Sequence, residues 1–439
     1  EQGGGETAGD GSAVTGAAGA KMAKSSRPFW GRPARLPLVK SPRPQPETAA
    51  DQALRRDLIT WYLANRRDLP WRRTRDPFAI WLSEVMLQQT RVEAVLGYWE
   101  RFLDALPTVQ DLAAADEDLV VALWSGLGYY RRARALHAAS KTIVQDFGGQ
   151  LPRDQAALQA LPGFGPYTTG AVRSIAFGES APLVDGNVAR VFSRLFALEY
   201  EPGSGPANRA LWAVATRLVP RALTPAARAK DQRSAASRDA AGAMSRDRGP
   251  GTWNQALMEL GATLCAPTRS TKSASSGPRC GECPVQGHCQ AFAAGRTAEL
   301  PLLKKPTPPV LVTLEVLVVE TPDGLLMQRR PADGRMASMW EFPTREVAAD
   351  EGPTHLWPAL LDSAEVGALW ARAEPRPSQK HSITRHRITC HVRYFAAKTT
   401  DIGPNPPYDA VPRGHLMGNS GSAPLPLTGL SAKILAVLD

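Results

Sequence analysis

Residues 161–171 read LPGFGPYTTGA, and this short segment leaves the chain few folds to choose from. Gly163 and Gly165 favour a tight turn, because glycine adopts positive φ at little cost. Pro166 then stands where a helix would begin, and apolar residues recur at helical spacing as far as Ile175. The pattern predicts helix, glycine hairpin, helix. Free N–H groups at such a helix start bind anions such as a DNA phosphate, although similar turns also serve plain helix packing.

Length and charge narrow the class of protein. The chain has 439 residues and a formal net charge of +10, which suggests two or three domains and a polyanionic partner, nucleic acid rather than membrane. We expect no transmembrane helix, because no long uncharged apolar run occurs. We expect the protein to act as a monomer.

Residues 1–46 lack apolar periodicity and are predicted to be a disordered basic tail. Seven basic residues and no acidic ones occur between Lys21 and Arg43. This composition is typical of a nuclear import tail or a transit peptide, and it also suits a solvated arm that touches DNA nonspecifically. We therefore expect a nuclear and also a mitochondrial location.

Glu84 is the first candidate for chemistry. A helix is predicted at 50–66, a second follows in PWRRTRDPFAIWLSEVMLQQT (70–90), and three or four short helices follow at 91–160. Glu84 lies among apolar residues of the second helix, where a carboxylate is costly without a role or a partner. The alternative is a buried glutamate tied to an arginine or to a helix end.

Aromatic and basic residues alternate in SGLGYYRRARAL, residues 125–136. Tyr129 and Tyr130 stand directly before three arginines, and such neighbours stack on bases and pair with phosphates. The alternative is a helix start with its tyrosines packed into the core.

Asp185 precedes an apolar helix in APLVDGNVARVFSRLFAL (181–198). It suits a helix N-cap, and the N-terminal amides should keep its carboxylate ionised. Residues 222–250 are predicted to be a disordered insertion, followed by a helix from Trp253 to Leu264.

Four of the five cysteines cluster with the spacing C-x14-C-x2-C-x5-C. Four thiolates hold either a zinc ion or an iron–sulfur cluster, and one short pair with two outlying cysteines fits both. The predicted metal ligands are Cys265, Cys280, Cys283 and Cys289.

The hydrophobic period changes after a Pro- and Lys-containing linker at 295–309. Alternating strands are predicted at 310–320 and 325–330, joined by a PDG turn. Further strands are predicted at 339–343, 381–398 and 431–435, with a helical stretch near 356–373. Residues 310–439 should therefore form a separate α+β domain.

Four blocks in this order resemble the MutY-type adenine DNA glycosylases of the helix-hairpin-helix, endonuclease III-like superfamily. They are WLSEVMLQQT, LPGFGPYTTGA, VDGN-x-x-R-V and the cysteines. The resemblance implies an all-α helix-hairpin-helix glycosylase domain (47–294) with an iron–sulfur loop, followed by a Nudix-like α+β domain (310–439). MQRRPADGRMASMWEFP matches the latter.

The family's roles are carried over to four residues. Glu84 matches the general acid that protonates adenine N7, and Asp185 matches the residue that stabilises the oxocarbenium ion. Asn187 matches a residue that orients the nucleophile region. Tyr167 looks like the family's active-site tyrosine and replaces the lysine with which bifunctional relatives form a Schiff base. The resemblance thus implies a monofunctional enzyme that removes adenine opposite 8-oxoguanine or guanine.

The family also implies DNA contacts and a cofactor. Gln89 and Tyr129 match residues that wedge into the base stack when adenine is flipped out, and the N–H groups of Gly163, Gly165 and Tyr167 would hold a phosphate. Thr384 replaces the serine of the family's 8-oxoguanine-reading loop, whose Phe and His are missing here. A [4Fe-4S] cluster is implied at the four cysteines, although the first gap is longer than the family's and suggests a looped insertion.

Three other readings stay open. A bifunctional endonuclease III-like lyase would need the hairpin lysine, and a noncatalytic iron–sulfur DNA-binding relative would use Glu84 and Asp185 only structurally. A Nudix hydrolase would need an acidic array that the sequence lacks, so we expect no pyrophosphatase activity. Double-stranded DNA with A:8-oxoguanine or A:G mispairs is the expected partner, and a sliding clamp or mismatch-repair protein is expected by family analogy near 295–309.

Overall fold

The structure is a computed structural model. It describes residues 48–222, 249–267, 277–302, 307–331, 336–347, 372–383, 385–397, 409–417 and 425–438. The predicted tail (1–46), the Ser- and Lys-rich insertion after Cys265 and the predicted helix near 356–373 lie wholly or mostly outside these residues. In the part of the chain that is described, no helix is both long and apolar enough to span a bilayer.

The first part of the chain is entirely helical. The helices are α1 Ala49–Asn65, α2 Pro77–Met86, α3 Val92–Ala105, α4 Val109–Ala114, α5 Glu117–Leu123, α6 Arg131–Phe147, α7 Gln155–Ala160, α8 Pro166–Ala171, α9 Gly186–Leu195, α10 Gly205–Leu218, α11 Pro250–Thr263 and α12 Gln290–Ala293. A π-helix, Val172–Ala176, continues α8. Two apolar clusters fill this domain, and α2 lies between them, since Trp81 belongs to one cluster and Ile80 to the other.

The helices predicted in this domain are present, but the predicted number of helices at 91–160 and one predicted segment limit were wrong. Residues 91–160 hold five helices instead of three or four, and α3 and α6 are long. The predicted disordered segment 222–250 extends too far, because Gly249 caps α11 and Pro250 is its first residue. The Gly-Pro-Gly sequence suggests a chain break, yet proline is favoured in a first helical turn. Residues 223–248 lie outside the described residues.

The glycine hairpin forms as predicted between α7 and α8. Gly163 has φ of +78°, which glycine alone adopts cheaply. Gly165 was expected to need the same freedom, and this was wrong: its φ is −84° and an added Cβ would meet nothing within 4 Å. The Phe164 ring packs on Trp81 of α2 at 5.0 Å between centroids, which fixes the hairpin against that helix.

In the second part of the chain, the described residues form a seven-stranded mixed sheet and two short helices. Its strands are β1 Val310–Thr321, β2 Gly324–Arg329, β3 Trp340–Glu341, β4 Thr344–Val347, β5 Glu374–Ile383, β6 His386–Ala396 and β7 Asp409–Val411. The order is β3-β2-β1-β6-β5, with β4 also paired to β1 and β7 to β2. β1 and β6 run parallel from Val310↔His386 to Glu320↔Ala396.

Two predictions in this domain need correction. Residues 431–435 lie in a helix, Gly429–Leu435 (α14; α13 is Arg413–Met417), not in a strand. The Thr428 hydroxyl caps α14 by accepting from the Ser431 N–H, and Leu430 and Ile434 pack inward at helical spacing. The predicted strand 381–398 is a hairpin of β5 and β6, and β5 begins already at Glu374.

The segment predicted as a linker begins as folded structure. Leu300 is buried, and its carbonyl oxygen accepts from Arg194 Nε at 2.8 Å. Farther along the chain, Met339 is fully buried within the same apolar cluster as Trp124 and Leu136 of the helical domain.

Two polar contacts accompany Met339. Arg134 donates to the Ala337 carbonyl oxygen, and Arg329 pairs with Asp118 at 2.6 Å. The loop at 336–339 therefore docks the sheet domain on α5 and α6.

Candidate active site

Glu84 lies in the last turn of α2 and is almost completely buried, with 5% of its surface exposed. The Tyr167 hydroxyl donates a hydrogen bond to its Oε2. Burial raises the pKa of Glu84 to about 7; the Tyr167 hydrogen bond and Arg72 oppose this rise, and the charge of Asp185 adds to it. The partner is thus a phenol, not the arginine or helix end of the alternative reading. A carboxyl group with this pKa can carry a proton at neutral pH.

Tyr167 follows the glycine hairpin, and its side chain contacts Glu84 of α2. Its position after Pro166 in the first turn of α8 directs the hydroxyl toward both Glu84 and the Met258 sulfur, which lies 3.4 Å away. Burial and the neighbouring carboxyl groups raise the pKa of Tyr167 far above its usual value. The phenol therefore stays protonated and acts as a donor to Glu84.

Asp185 is both a helix cap and a second, half-buried carboxyl group. Its Oδ1 accepts from the Val188 N–H at 2.7 Å, and its Oδ2 accepts from Asn187 Nδ2 at 2.9 Å. The sequence predicts an ionised group stabilised by helix amides. Burial raises the pKa of Asp185, and these hydrogen bonds and Arg190 lower it again in part. The ionised state of Asp185 stays a prediction.

Asn187 joins Asp185 to the cysteine segment through Arg190. Arg190 donates from Nη2 to Asn187 Oδ1 at 2.9 Å and to the Gly261 carbonyl oxygen at 2.8 Å. Its Nε donates to the Cys265 carbonyl oxygen at 2.7 Å. The sequence analysis includes this arginine in the VDGN-x-x-R-V block but gives it no role; the signal was its place three residues after Asn187, one helical turn along α9.

Gly261 provides a test of this contact between α9 and α11. A Cβ at Gly261 would lie 2.6 Å from Asn187 Cβ and 3.1 Å from its backbone. We expect Gly261→Ala to lower the free energy of unfolding by about 1–3 kcal/mol, as overpacking does. Gly97→Ala on α3, where nothing lies within 4 Å, is the control and should raise it slightly. Urea denaturation followed by tryptophan fluorescence measures both, and equal effects of the two changes would contradict the close approach.

Buried ion pairs connect α11 to the segment between α1 and α2. Glu259 of α11 accepts from Arg67 at 2.8 Å and from Arg72 at 2.7 Å. Burial opposes ionisation of Glu259, but these hydrogen bonds hold its pKa at about 2. The sequence offered no sign of this cluster, because its members are almost 190 residues apart.

The predicted DNA-contact residues lie on three loops. Gln89 and Tyr129 are exposed, and both have the left-handed backbone, with φ of +57° and +51°. Tyr130 is buried, as the alternative reading had it. Gly163 is exposed, whereas the Gly165 N–H already donates to the Gly163 carbonyl oxygen at 3.2 Å. Thr384 lies outside the described residues, between β5 and β6.

The four predicted cysteine ligands line one cavity beside α9 and α11. Within the described residues, however, no three His, Cys, Asp or Glu side chains are arranged to hold a metal ion. Arg194 contacts two of these cysteines: it donates to Cys265 Sγ at 3.2 Å, and its carbonyl oxygen accepts from Cys289 Sγ at 3.4 Å. Burial raises the pKa of the Cys283 thiol to about 11.

Two carboxyl groups with different partners, one buried and one half-buried, suit hydrolysis of a glycosidic bond. Such a reaction needs one group that protonates the leaving group and another that stabilises positive charge on the sugar. Glu84 has the raised pKa of an acid, and Asp185 receives the hydrogen bonds that favour its charged form.

Comparisons with known proteins agree with this chemistry. The family described as HhH-GPD superfamily base excision DNA repair protein matches residues 82–217, and the NUDIX domain family matches 315–427. Rat (Rattus norvegicus) adenine DNA glycosylase is 35% identical over 393 residues, covering 78% of this chain and 69% of that protein. The enzyme of that name from Mycolicibacterium smegmatis is 34% identical, covering 66% and 98%.

Solved structures are also similar. The structure of a thermostable thymine-DNA glycosylase covers 56% of this chain and 97% of its own, at 28% identity and a TM-score of 0.44.

Proposed function

The chain belongs to the adenine DNA glycosylase family of base excision repair, as the resemblance predicted, and from this we propose that it removes adenine mispaired with 8-oxoguanine or guanine in duplex DNA. The observation that carries the proposal is the hydrogen bond from Tyr167 to the buried Glu84, together with Asp185, whose charge raises the pKa of Glu84. This set provides a protonated acid and a second carboxylate in one site.

The proposed reaction begins with extrusion of the adenine from the duplex. Protonated Glu84 donates its proton to adenine N7, so that the base leaves as a neutral group when the bond to C1′ breaks. The Asp185 carboxylate stabilises the positive charge that develops on the sugar. Water adds at C1′ and gives a proton to the Glu84 carboxylate, which leaves an abasic site and restores the acid. Tyr167 orients Glu84 by its hydrogen bond, and Asn187 orients Asp185.

Tyr167 also supports a monofunctional reaction over the lyase alternative. A lyase needs a nucleophilic amine at the sugar, and the hairpin position holds a phenol that stays protonated. Among the described residues up to 302, Lys141 is the only lysine, and it is exposed on α6. Borohydride should therefore trap no covalent adduct with DNA.

The four cysteines support a [4Fe-4S] cluster in the same proposal. They line one cavity, and each of the other three thiols affects the pKa of Cys283 electrostatically, which suits a four-thiolate donor set. When bound, the cluster would hold the segment at 277–302 in place and supply no catalytic group. The Arg190 guanidinium, which reaches both the Cys265 carbonyl oxygen and Asn187, would transmit that order to Asp185.

Recognition of 8-oxoguanine by the sheet domain, through Thr384, stays part of the proposal. So do the domain limits at 46, 294 and 309, a nuclear and mitochondrial location, and a sliding-clamp or mismatch-repair partner. The basic net charge of +10 supports the DNA partner.

Single-turnover assays on three duplexes test the proposal, with adenine opposite 8-oxoguanine, guanine or thymine. Alkali then cleaves the abasic product. We expect fast release opposite 8-oxoguanine, slower release opposite guanine and none opposite thymine, from protein whose iron and sulfide contents match one cluster. Release from none of the duplexes by cluster-loaded protein would overturn the proposed activity. Equal rates opposite 8-oxoguanine and guanine would overturn only the reading role of the sheet domain.

A further inference from the structure

We infer that Arg132 is a positioning residue that holds Gln89 and Tyr129 ready to enter the base stack. This inference rests on the proposed function, because it assigns a task to the two wedge residues proposed above. Arg132 lies in the first turn of α6, and only 7% of its surface is exposed. Its guanidinium is therefore not available to DNA, unlike that of its exposed neighbour Arg131.

The Arg132 guanidinium joins two loops that come from distant parts of the chain. Nη1 donates to the carbonyl oxygens at the end of α2, those of Val85, Met86 and Gln88, at 2.6–2.8 Å. Nη2 donates to Thr90 Oγ1 at 3.1 Å and to the Gly128 carbonyl oxygen at 3.0 Å. The last carbonyl groups of a helix lack some of their usual partners within it. Arg132 adds hydrogen bonds to these three oxygens and ties them to the second loop.

Each tied loop carries one wedge residue in an uncommon backbone conformation. Gln89 lies between the two loop residues that Arg132 contacts, Gln88 and Thr90, and Tyr129 directly follows Gly128. Both wedge residues have positive φ, which non-glycine residues adopt only where their surroundings impose it. The guanidinium also faces the rings of Tyr129, at 5.6 Å, and Trp124, at 5.2 Å.

Only an arginine can make this set of contacts. A planar guanidinium directs several N–H groups in fixed directions, whereas a lysine ammonium offers three donors at one point. Burial lowers the pKa of Arg132 to about 10, which still leaves the group charged at neutral pH. Lysine would keep the charge and lose the connection between the loops, so Arg132→Lys is the informative change.

The test measures wedging separately from chemistry. In a Glu84→Gln background, which removes excision, 2-aminopurine is placed beside 8-oxoguanine in the duplex, and its fluorescence rises when a wedge unstacks it. We expect Arg132→Lys to remove most of this rise while DNA affinity changes little. With Glu84 intact, the same change should slow excision about 10- to 100-fold, the effect expected for lost hydrogen bonds to a charged group.

Three further variants make the test specific. Thr90→Val removes one acceptor of Arg132 and should reduce the fluorescence rise in the same direction by less. Adding Arg132→Lys to a protein that already carries Gln89→Ala and Tyr129→Ala should slow excision little further, because both residues to be positioned are already gone. Arg101→Lys on α3 is the control: Arg101 also donates to a backbone carbonyl oxygen and faces a tyrosine ring, but on neither loop.

A normal fluorescence rise in Arg132→Lys would overturn the inference, whatever the excision rate. A loss from Arg132→Lys that multiplies fully with the loss from the paired changes Gln89→Ala and Tyr129→Ala would also overturn it, because it would indicate a role elsewhere in the fold. If the protein with native Glu84 excises no adenine, the proposed activity fails. The fluorescence comparison still decides the role of Arg132 in that case.

Discussion

Glu84→Gln is expected to reduce adenine excision by about 10²–10⁴-fold, the range that general acid catalysis contributes. Glutamine keeps the size of the side chain and an oxygen for the Tyr167 hydroxyl, so the site should retain its shape. Glutamine has no acidic proton to give to adenine N7. Single-turnover excision and DNA affinity measured together test this, and affinity should change little.

Glu100→Gln on α3 is the matched control, since it removes an exposed carboxylate from the same domain. Its excision rate should equal that of the unchanged protein. Rapid excision by Glu84→Gln would remove Glu84 from the mechanism, and a loss of DNA binding in this variant would point to a structural role instead.

The same group sets the expected pH dependence. Glu84 is active when protonated and its pKa is about 7, so the excision rate should fall as pH rises through 7. Asp185 is active when ionised and its pKa is raised, so a second decline is expected at lower pH. Tyr167→Phe removes a hydrogen bond that favours the ionised form of Glu84, and should move the upper limb to higher pH.

Asp185→Asn is expected to reduce excision by about 10²–10³-fold, as loss of an electrostatic stabiliser of the transition state does. Asparagine still accepts from the Val188 N–H, because it caps helices as well as aspartate does. The change therefore removes the charge and keeps α9. Single-turnover excision on the A:8-oxoguanine duplex measures the loss.

Asp154→Asn separates the charge from the cap. Asp154 caps α7 in the same way, accepting from the Ala157 N–H at 2.9 Å. Excision by this variant should match that of the unchanged protein, and thermal melting of both aspartate variants should be similar. A comparable loss of excision from Asp154→Asn would attribute the effect of Asp185→Asn to capping.

Local patterns were enough to single out Glu84 and Asp185 as candidates, and the family resemblance implied the roles proposed for them. Glu84 stood out because a carboxylate among apolar helix residues needs a reason, and Asp185 because it precedes an apolar helix. Their burial could not be predicted equally well, because it depends on which segments pack around each group. For Glu84 the neighbours in sequence already indicate burial, whereas Asp185 lines a cavity with residues distant in the sequence, such as Leu211 and Trp212.

Contacts between distant segments were beyond sequence reasoning. Arg131, Arg132 and Arg134 look alike in the sequence, and only the packing of α6 against α2 turns Arg132 inward. The short run SAKIL fits a strand or a helix equally well, and the Thr428 cap decides between them. The Tyr167 partner of Glu84 was likewise hidden, because it lies 83 residues away.

The docking of Met339 bears on the order in which the protein is made. Synthesis runs from the N-terminus, so every helix through α12 has been translated before Met339 is added. During that interval Met339 is missing from the apolar cluster that it shares with Trp124 and Leu136. The last piece of the helical core thus arrives with the sheet domain, and biogenesis of the repair domain is complete only after the ribosome has passed residue 339.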